Sequence, residues 1–211
     1  MNSIVIAAAR PATIDDVPGV ARVMSRSLVD DPFFQWLFPD VETRMAKTRR
    51  FFAQAAGFGY VPHGDTRVTE SDDSSPSSDD SVIRGVALWA PPESNPEGRL
   101  VSLRNWPHWG SLLGRDRITA FLRIFAEWKL AAPPESHLYL AALGVDPAFA
   151  NHGVAGTLLT DGLDRADAQG LPVFTQTLNP ESVAFYERFG FQMVREVEHL
   201  EGGTSYFLLR G

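Results

Sequence analysis

The chain has 211 residues, 44% hydrophobic and 21% charged, which suits one globular domain with a sizeable core over residues 1–211. Its net charge of −7 argues against nucleic acid or an anionic membrane as the main partner. The lack of cysteine, five histidines without metal-ligand spacing and no apolar run of membrane-spanning length predict a cytoplasmic protein without disulfides or a metal site.

The chain begins with a predicted strand and helix. Residues 4–10 have the composition of a strand, and a helix with a regular apolar face follows. Because Pro18 cannot lie deep inside a helix, we expect the helix cap at Asp15 or Asp16 rather than at Thr13.

An aromatic-rich segment and a longer helix come next. Residues 30–38 are rich in phenylalanine and tryptophan, which predicts short helical structure that packs into the core. Asp40 then caps a helix that extends to about Phe58. The predicted apolar face of that helix is Val41, Met45, Thr48, Phe52 and Ala55.

Two strands, residues 66–70 and 82–90, form a predicted hairpin with an unusual connection. All eleven residues of 71–81 are serine, aspartate or proline, so none can be buried and the segment is expected to be solvated and flexible. An insertion tolerated at a hairpin tip is the favoured interpretation, and a regulatory acidic loop is the alternative. Residues 115–130 then predict a helix with one aromatic and aliphatic face.

A strand–helix–strand unit follows. In residues 137–145, both sets of alternating side chains are apolar. This pattern is typical of a central strand that is buried on both faces. The two predicted faces are Leu138, Leu140 and Ala142 on one side and Tyr139, Ala141, Leu143 and Val145 on the other. A helix from Gly153 to Gly170 leads to a second strand at residues 173–178, and such a unit connects parallel strands.

The chain ends with a helix over residues 182–189 and strands over 192–198 and 204–210, joined by a turn at Gly202 and Gly203. The whole pattern predicts a single α/β domain with a mixed sheet of about six or seven strands and flanking helices.

The loop between residue 145 and the helix at Gly153 has features of an anion site. Asn151–Gly156 brings small residues and unpaired N–H groups to a helix N-terminus, which binds phosphate or pyrophosphate well. Such a sequence is also compatible with a simple tight turn.

Two motifs in order resemble those of the GCN5-related N-acetyltransferases, the GNAT family. The first is Val145–Pro147 followed by Ala150–Ala155, similar to the family's Val-x-Pro and Arg/Gln-x-x-Gly-x-Gly/Ala. The second is Asn179 followed by Phe185–Phe191, similar to its Asn…Tyr-Glu-x-x-Gly-Phe. Ala150 departs from the family's Arg or Gln. The resemblance covers roughly residues 10–30 and 82–210, and the pattern is closest to puromycin N-acetyltransferase and its relatives.

The resemblance implies a GNAT-type sheet with a splayed central strand pair, and acetyl-CoA as co-substrate. It further implies that the phosphates and pantetheine of acetyl-CoA bind to the end of the strand at 137–145 and to the loop that follows it. Asn179 and Tyr186 of the second motif would also contact the cofactor. The implied cofactor-binding residues are Leu143, Gly144, Val145, Ala150, Asn151, His152, Gly153, Val154, Ala155, Gly156, Asn179 and Tyr186.

Tyr186 matches the family's tyrosine that faces the thioester sulfur, which implies a proton donor to the departing thiolate. A phenol has a reference pKa near 10, so it is protonated at neutral pH. The alternative is an aromatic residue that only packs its helix onto the sheet. Asn179 fits a polar contact to the cofactor, and its alternative is a turn residue ahead of Pro180.

The general base is left open, because the strand at 137–145 has no internal carboxylate. Candidates are Asp30, Asp31, Glu93 and His137, and water could also carry the proton away. The family places residues 30–38 over the substrate, so some of their aromatic side chains could line an acceptor pocket. Trp106 and Trp109 could cover that pocket or pack in the core.

The expected activity is direct transfer of an acetyl group from acetyl-CoA to a primary amine, most simply of a small molecule. The alternatives are a protein or peptide amine as acceptor, or a non-catalytic acyl-CoA-binding module. The expected partner is therefore a small amine, with no nucleic acid or membrane, and a homodimer is possible.

Overall fold

The computed structural model describes most of the chain. The described residues are 7–71, 82–92, 94, 96, 98, 105–199 and 203–211. The first part of the predicted opening strand, residues 72–81 of the acidic insertion, Glu93 and the predicted turn residue Gly202 lie outside these residues. Ser71, the one described residue of the insertion, ends a strand and is buried, so the expectation of full exposure is wrong there.

The described residues form both strands and helices along the chain. The strands are β1 (Arg10–Pro11), β2 (Asp65–Ser71), β3 (Val82–Ala90), β4 (Leu138–Val145), β5 (Val173–Thr177), β6 (Gln192–Glu198) and β7 (Thr204–Arg210). The helices are α1 (Val17–Leu28), α2 (Pro32–Leu37), α3 (Val41–Ala55), α4 (Val61–His63), α5 (Trp106–Ala131, interrupted at Gly114), α6 (Val154–Gln169) and α7 (Pro180–Glu187). None of the described helices has the length and apolar character that a membrane span needs.

The strands form one mixed sheet in the order β1-β2-β3-β4-β5-β7-β6. Only β4 and β5 are parallel among these neighbours, as the strand–helix–strand unit predicted. Their pairing runs from Leu138 with Val173 to Leu140 with Thr175 and stops there, although β4 continues to Val145. The central strands therefore splay apart, as expected, and leave a cleft at their carboxyl ends.

A bulge in β4 makes the predicted alternation of this strand wrong beyond its midpoint. The register with β3 slips at Ala141, which lies between the paired residues Leu140 and Ala142. Ala141 and Ala142 consequently pack on the same side of the sheet, whereas Leu143 and Val145 pack on the side of Leu140. One extra residue is enough to reverse every later side chain, because the side-chain period of a strand is two.

Helices cover the sheet on both faces. One core lies under α1, α2, α3 and α5, and the second lies under α6 and α7. Helix α6 sits very close to β3, since a Cβ on Gly162 would lie 2.1 Å from the buried Trp89 ring and a Cβ on Gly85 would lie 2.4 Å from Val154. Glycine at these two positions lets the helix rest on the strand backbone and fixes where its N-terminus lies.

The apolar face predicted for α3 is partly wrong. Its first members are exposed, Val41 by 74% and Met45 by 41%. The buried stripe instead includes Arg44, whose Nε donates a hydrogen bond to the carbonyl oxygen of Phe38 at 2.8 Å. A charged residue can occupy this position because its guanidinium is satisfied by backbone carbonyls.

Of the two predicted helix caps, Asp40 is confirmed and Asp16 only in part. Asp40 caps α3 by accepting a hydrogen bond from the backbone N–H of Glu42 at 3.1 Å. Asp16 occupies the N-cap position of α1, but its side chain makes no capping hydrogen bond there. Thr13 is instead the N-cap of a 3₁₀ turn over Ile14–Asp16, so the preference for Asp16 over Thr13 is only partly right.

Candidate active site

The phosphate-binding loop predicted from sequence forms an open helix N-terminus. Asn151 and Gly153 both adopt left-handed backbone conformations, with φ of 64° and 82°, and Gly153 is the N-cap of α6. A Cβ on Gly153 would meet no atom within 4 Å, so the space in front of the helix is free. The first helical hydrogen bond is made by the N–H of Thr157 to the Gly153 carbonyl oxygen at 2.9 Å, which leaves the N–H groups of residues 154–156 without a partner inside the helix.

The side chains of the loop contribute little to this space. Ala150, Asn151 and His152 are exposed, and the His152 Nδ1 lies 2.9 Å from the carbonyl oxygen of Ala150. The side chain of Val154 is buried in the core, so this residue can offer only its backbone. An anion in this loop would therefore be bound by backbone groups. The presence of Ala150, where the family has Arg or Gln, leaves the N–H groups of residues 154–156 in place.

The charges around the loop favour an anion. The first turn of α6 carries no acidic residue. The carboxylate at the end of β4, Asp146, is buried and forms ion pairs with Arg22 at 3.0 Å and Arg26 at 3.3 Å. Two cations on one carboxylate leave a net positive charge at the end of β4, where the loop begins. This charge has the same sign as the N-terminal end of the helix dipole.

The edge of β4 that faces the cleft presents backbone groups. The N–H of Asp146 donates to the carbonyl oxygen of Arg84 on β3 at 2.7 Å, so the alternate residues Leu143 and Val145 direct their N–H and C=O groups toward the cleft. The N–H of Val145 already donates to the Ser27 hydroxyl at 3.1 Å. The remaining groups on this edge match the pairing expected for an extended amide chain.

The other small residues predicted to bind the cofactor have different surroundings. Gly144 faces α1, where a Cβ would lie 2.7 Å from the Met24 sulfur. Ala155 and Gly156 lie in the first turn of α6, and a Cβ on Gly156 would contact the Phe189 ring at 3.5 Å. Glycine is therefore needed for close packing at Gly144, whereas a Cβ at Gly156 would make an ordinary van der Waals contact.

Tyr186 lies on α7 and is buried at the inner end of the cleft. Its ring packs against Phe185 and Phe191, with centroids 5.3 Å and 5.5 Å away. Burial raises the pKa of Tyr186 to about 12; a hydrogen bond with Thr175 lowers that pKa, and the charge of Asp31 raises it further. The phenol therefore keeps its proton throughout the physiological pH range.

Asn179 has a capping role in the structure. Its side-chain oxygen accepts a hydrogen bond from the N–H of Glu181 at 3.0 Å and so caps α7. Its own N–H donates to the Thr177 hydroxyl at 3.0 Å. These contacts correspond to the turn interpretation of the sequence, and they place Tyr186 by fixing the start of its helix.

A cavity of about 140 Å³ lies beside Tyr186 where β4 and β5 part. Most of its wall is aromatic or aliphatic, and its polar groups are few. The aromatic residues are Phe33, Phe34, Phe51, Phe52, Tyr60, Phe125, Trp128, Tyr139 and Tyr186. The other polar residues are Asp31, Thr175, Gln176, Thr177 and Ser182. The cleft thus connects the open N-terminus of α6 to a half-open, largely apolar pocket.

Residues 82–191, just over half of the chain, match the acetyltransferase (GNAT) family. The chain belongs to the GNAT acetyltransferase family. Its resemblance to that family, inferred above from two motifs, is therefore confirmed, and the α/β fold with a mixed sheet agrees with it. The resemblance to puromycin N-acetyltransferase in particular stays a prediction.

Solved structures of other acetyltransferases share the fold of this acetyltransferase over almost its whole length. One is described as histone acetyltransferase HPA2 and related acetyltransferase from Corynebacterium glutamicum, with 21% identity, a TM-score of 0.70 and coverage of 99% of this chain and 96% of that chain. The mosquito arylalkylamine N-acetyltransferase like 5b has 17% identity, a TM-score of 0.58 and coverage of 98% and 99%. An agmatine N-acetyltransferase has 16% identity, a TM-score of 0.60 and coverage of 99% of both chains.

The candidate bases of the acetyltransferase lie in different places. Asp31 lines the cavity beside Tyr186. Its neighbour Asp30 is 85% exposed in its side chain and lies 3.8 Å from Arg44. His137 lines a second cavity on the other side of the Tyr139 and Gln176 side chains, and Glu93 lies outside the described residues.

The second cavity of the acetyltransferase measures about 610 Å³ and shares a wall with the first. Gln176 forms part of that wall, and its Nε2 donates to the Tyr139 hydroxyl at 2.7 Å. The Oε1 of Gln176 is buried without a hydrogen-bond partner among the described residues. An unpaired buried acceptor at this position can receive an N–H from a ligand.

Sequence analysis missed Thr175, Gln176 and Ser182 as cavity residues of the acetyltransferase. The signal was present, since a strand predicted to be central contains Thr175, Gln176 and Thr177 where apolar residues are usual. The aromatic segment fits both of its interpretations, because Phe33 and Phe34 are buried in the core and also line the cavity. Trp109 is in the core, stacked on Phe121 at 5.9 Å.

Proposed function

We propose that this acetyltransferase moves the acetyl group of acetyl-CoA directly to the primary amine of a small molecule. The observation that carries the proposal is the half-open aromatic cavity at the inner end of the cleft, beside Tyr186. A site for a small ligand is typically concave, mostly apolar and supplied with few polar groups, as this cavity is.

Acetyl-CoA supplies an activated acyl group, and the residues of the cleft fit its parts. The N–H groups of residues 154–156, behind the left-handed Gly153, would hold the pyrophosphate. The backbone groups of Leu143 and the carbonyl of Val145 would pair with the pantetheine amides, while Ser27 keeps the Val145 N–H. This arrangement directs the thioester toward the cavity.

Tyr186 would act as the general acid. Its phenol is buried beside the cavity and stays protonated, so it has a proton to give when the carbon–sulfur bond breaks. The low polarity that raises its pKa also strengthens a hydrogen bond to a developing thiolate. Asn179 would support this role through the cap of α7 rather than by direct contact alone.

A small amine is favoured over a protein amine by the shape of the site. A peptide acceptor needs a surface groove for its backbone, whereas this cavity is walled by α2, α3 and α5 together with the central strands. The names of two fold neighbours, the arylalkylamine and agmatine N-acetyltransferases, agree with a small amine. The histone acetyltransferase in the name of a third neighbour keeps a protein amine as the alternative.

The test is an acetyl-CoA turnover assay read by release of free thiol. The acceptor panel should contain small primary amines, lysine peptides and peptides with a free N-terminus at equal concentration. We expect thiol release with at least one small amine and a kcat/KM at least tenfold higher than with any peptide. Preferred turnover of peptides would replace the proposal by its alternative, and acetyl-CoA binding without any turnover would indicate a binding module.

A further inference from the structure

The charge of the aromatic cavity is concentrated in one side chain. Among the described residues that line it, Asp31 is the single carboxyl group, and none is a lysine, arginine or histidine. The other titratable groups that face the cavity are the phenols of Tyr60 after α3, Tyr139 on β4 and Tyr186 on α7. Helices α1 and α5 contribute only apolar or indole side chains, such as Leu28 and Trp128. A cationic ligand would therefore find a single counter-charge here.

Asp31 is held in place by the backbone of α2. It is the N-cap of that helix, and its Oδ1 accepts a hydrogen bond from the N–H of Phe33 at 2.9 Å. Its Oδ2 takes part in no hydrogen bond or ion pair within the described part of the chain. One carboxylate oxygen thus fixes the side chain, and the other is available to a ligand.

The cavity has the size and character of a site for one aromatic ring. Its volume of about 140 Å³ is comparable with the ~150 Å³ engineered cavity that binds benzene. Phe34 meets Phe33 and Phe51 in edge-to-face contacts with centroids 5.1 Å and 5.3 Å apart. Aromatic side chains in such arrangements offer both ring edges and faces to a further ring.

We propose that the acceptor is a primary amine carried on an aromatic group, and that Asp31 binds its ammonium and takes its first proton. This inference rests on the proposed function. The ring would lie among Phe33, Phe34 and Phe51, and the ammonium would contact the free Oδ2 of Asp31. The geometry places this carboxylate and the Tyr186 phenol on the same cavity, as a base and an acid.

The protons of the reaction balance with these two groups. Asp31 takes one proton from the ammonium, and the nitrogen lone pair forms a bond to the thioester carbon. The carbon–sulfur bond breaks as the carbonyl reforms, and the thiolate sulfur takes the proton of Tyr186. The tyrosinate then recovers a proton from the new amide nitrogen, and Asp31 releases its proton to water. The products are the N-acetylated amine, CoA with a free thiol, and one proton in solution.

The surroundings of the two groups are consistent with this division of roles. Burial raises the pKa of Asp31, and the hydrogen bond from the Phe33 N–H opposes that rise. A carboxylate with a raised pKa is a stronger base than an exposed one. Tyr186, with a pKa raised to about 12, keeps its proton and can serve as the acid.

The test compares Asp31→Asn with Asp40→Asn. Asn caps a helix as well as Asp does, so α2 should be preserved in the first variant and α3 in the second. Asp40 is an exposed N-cap that does not line the cavity. Binding to the full chain without CoA would be measured by tryptophan fluorescence with 2-phenylethylamine, with 2-phenylethanol, which lacks the charge, and with ethylamine, which lacks the ring.

We expect the wild type to bind 2-phenylethylamine at least tenfold more tightly than either comparison compound. Asp31→Asn should weaken that binding roughly 10–100-fold, as loss of a hydrogen bond to a charged group does, and Asp40→Asn should not change it. In turnover assays Asp31→Asn should lower kcat/KM for the amine about 10²-fold or more and remove the acid limb of its pH profile, with KM for acetyl-CoA unchanged.

Three outcomes would overturn the inference: no binding of 2-phenylethylamine to the wild type, equal binding of 2-phenylethanol, or equal amine binding by Asp31→Asn. None of these measurements uses CoA. Failure of the proposed function would be recognised separately, as an absence of both thiol release and thermal stabilisation by CoA in the wild type.

Discussion

The two ends of the cleft are built in different ways. The end proposed to bind phosphate, called the phosphate end below, comes from one continuous segment, Asp146–Gly156. It presents backbone N–H groups, and most of its side chains are exposed. The aromatic end is assembled from side chains of six or more separate elements between Leu28 and Tyr186. A binding site made of backbone groups requires small residues at a fixed spacing within one short segment. A binding site made of side chains requires only that residues from distant segments come together in the fold.

The two ends also use opposite electrostatic environments. At the loop, an exposed helix N-terminus and two arginines around Asp146 create positive potential in contact with solvent. In the cavity, burial raises the pKa of both Asp31 and Tyr186. The first end suits the binding of a large anion, and the second suits proton transfer away from water. The predictions below separate these two contributions.

The largest effect is expected for Tyr186→Phe, which tests the aromatic end. The ring is retained, so no cavity forms, and only the hydroxyl is lost. The kcat should fall about 10²–10⁴-fold, while KM for acetyl-CoA and the melting temperature change little. Steady-state kinetics and a thermal melt on the same preparation would measure this.

Tyr206→Phe is the matched control. Tyr206 packs against the same core cluster as Tyr186 but does not line the cavity. Its kcat should equal that of the wild type. An unchanged kcat in Tyr186→Phe would mean that this tyrosine only packs α7 onto the sheet.

Gly153→Val tests the phosphate end. A side chain at the N-cap of α6 would project where the phosphates are expected, and the residue would be strained at a φ of 82°. At a CoA concentration a hundredfold above Kd, ligand binding stabilises a protein by about 2.7 kcal/mol, and most of this stabilisation should disappear. Thermal melts with and without CoA would give the difference.

Gly170→Val separates strain from ligand binding. Gly170 caps the other end of α6 with a φ of 63°, and a Cβ there also meets no atom within 4 Å. The variant should lose similar stability without ligand but retain the stabilisation by CoA. Equal CoA stabilisation in both variants would place the phosphates elsewhere.

The raised pKa of Tyr186 predicts a loss of stability at alkaline pH. The unfolded tyrosine releases its proton near pH 10, whereas the folded one holds it to about pH 12. Between these values the unfolded state binds fewer protons, so the free energy of unfolding falls as pH rises, by about 2–3 kcal/mol from this group. Denaturant unfolding from pH 9 to 11.5 should show a steeper fall for the wild type than for Tyr186→Phe, and parallel curves would contradict the pKa.

A smaller effect is expected from Gly162→Ala, which tests the support beneath the phosphate end. The new Cβ would lie 2.1 Å from the fully buried Trp89 ring, so α6 must shift away from β3. Overpacking of this kind costs about 1–3 kcal/mol. Gly110→Ala, at an exposed helical position with no atom within 4 Å, should instead be neutral or slightly stabilising. Equal stability of the two variants would show that α6 has room to move.

The sequence by itself determined the local parts of this protein. The parallel strand pair, the helix from Gly153 to Gly170 and the capping residue Asp40 were all readable, because each depends on neighbouring residues and on the periodicity of a helix or strand. The loop at the end of β4 could be found for the same reason. Its left-handed turn and its helix N-terminus impose their requirements within a few consecutive residues.

Tertiary structure decided the rest. The bulge at Ala141 reversed the predicted faces of β4, because its cause is the pairing with β3 and no residue within β4 signals it. Asp31 could not be distinguished from Asp30 in the sequence, since the difference between them is burial against side chains far along the chain. The cavity exists only because β4 and β5 part where distant aromatic residues converge, a long-range event that local periodicity does not encode.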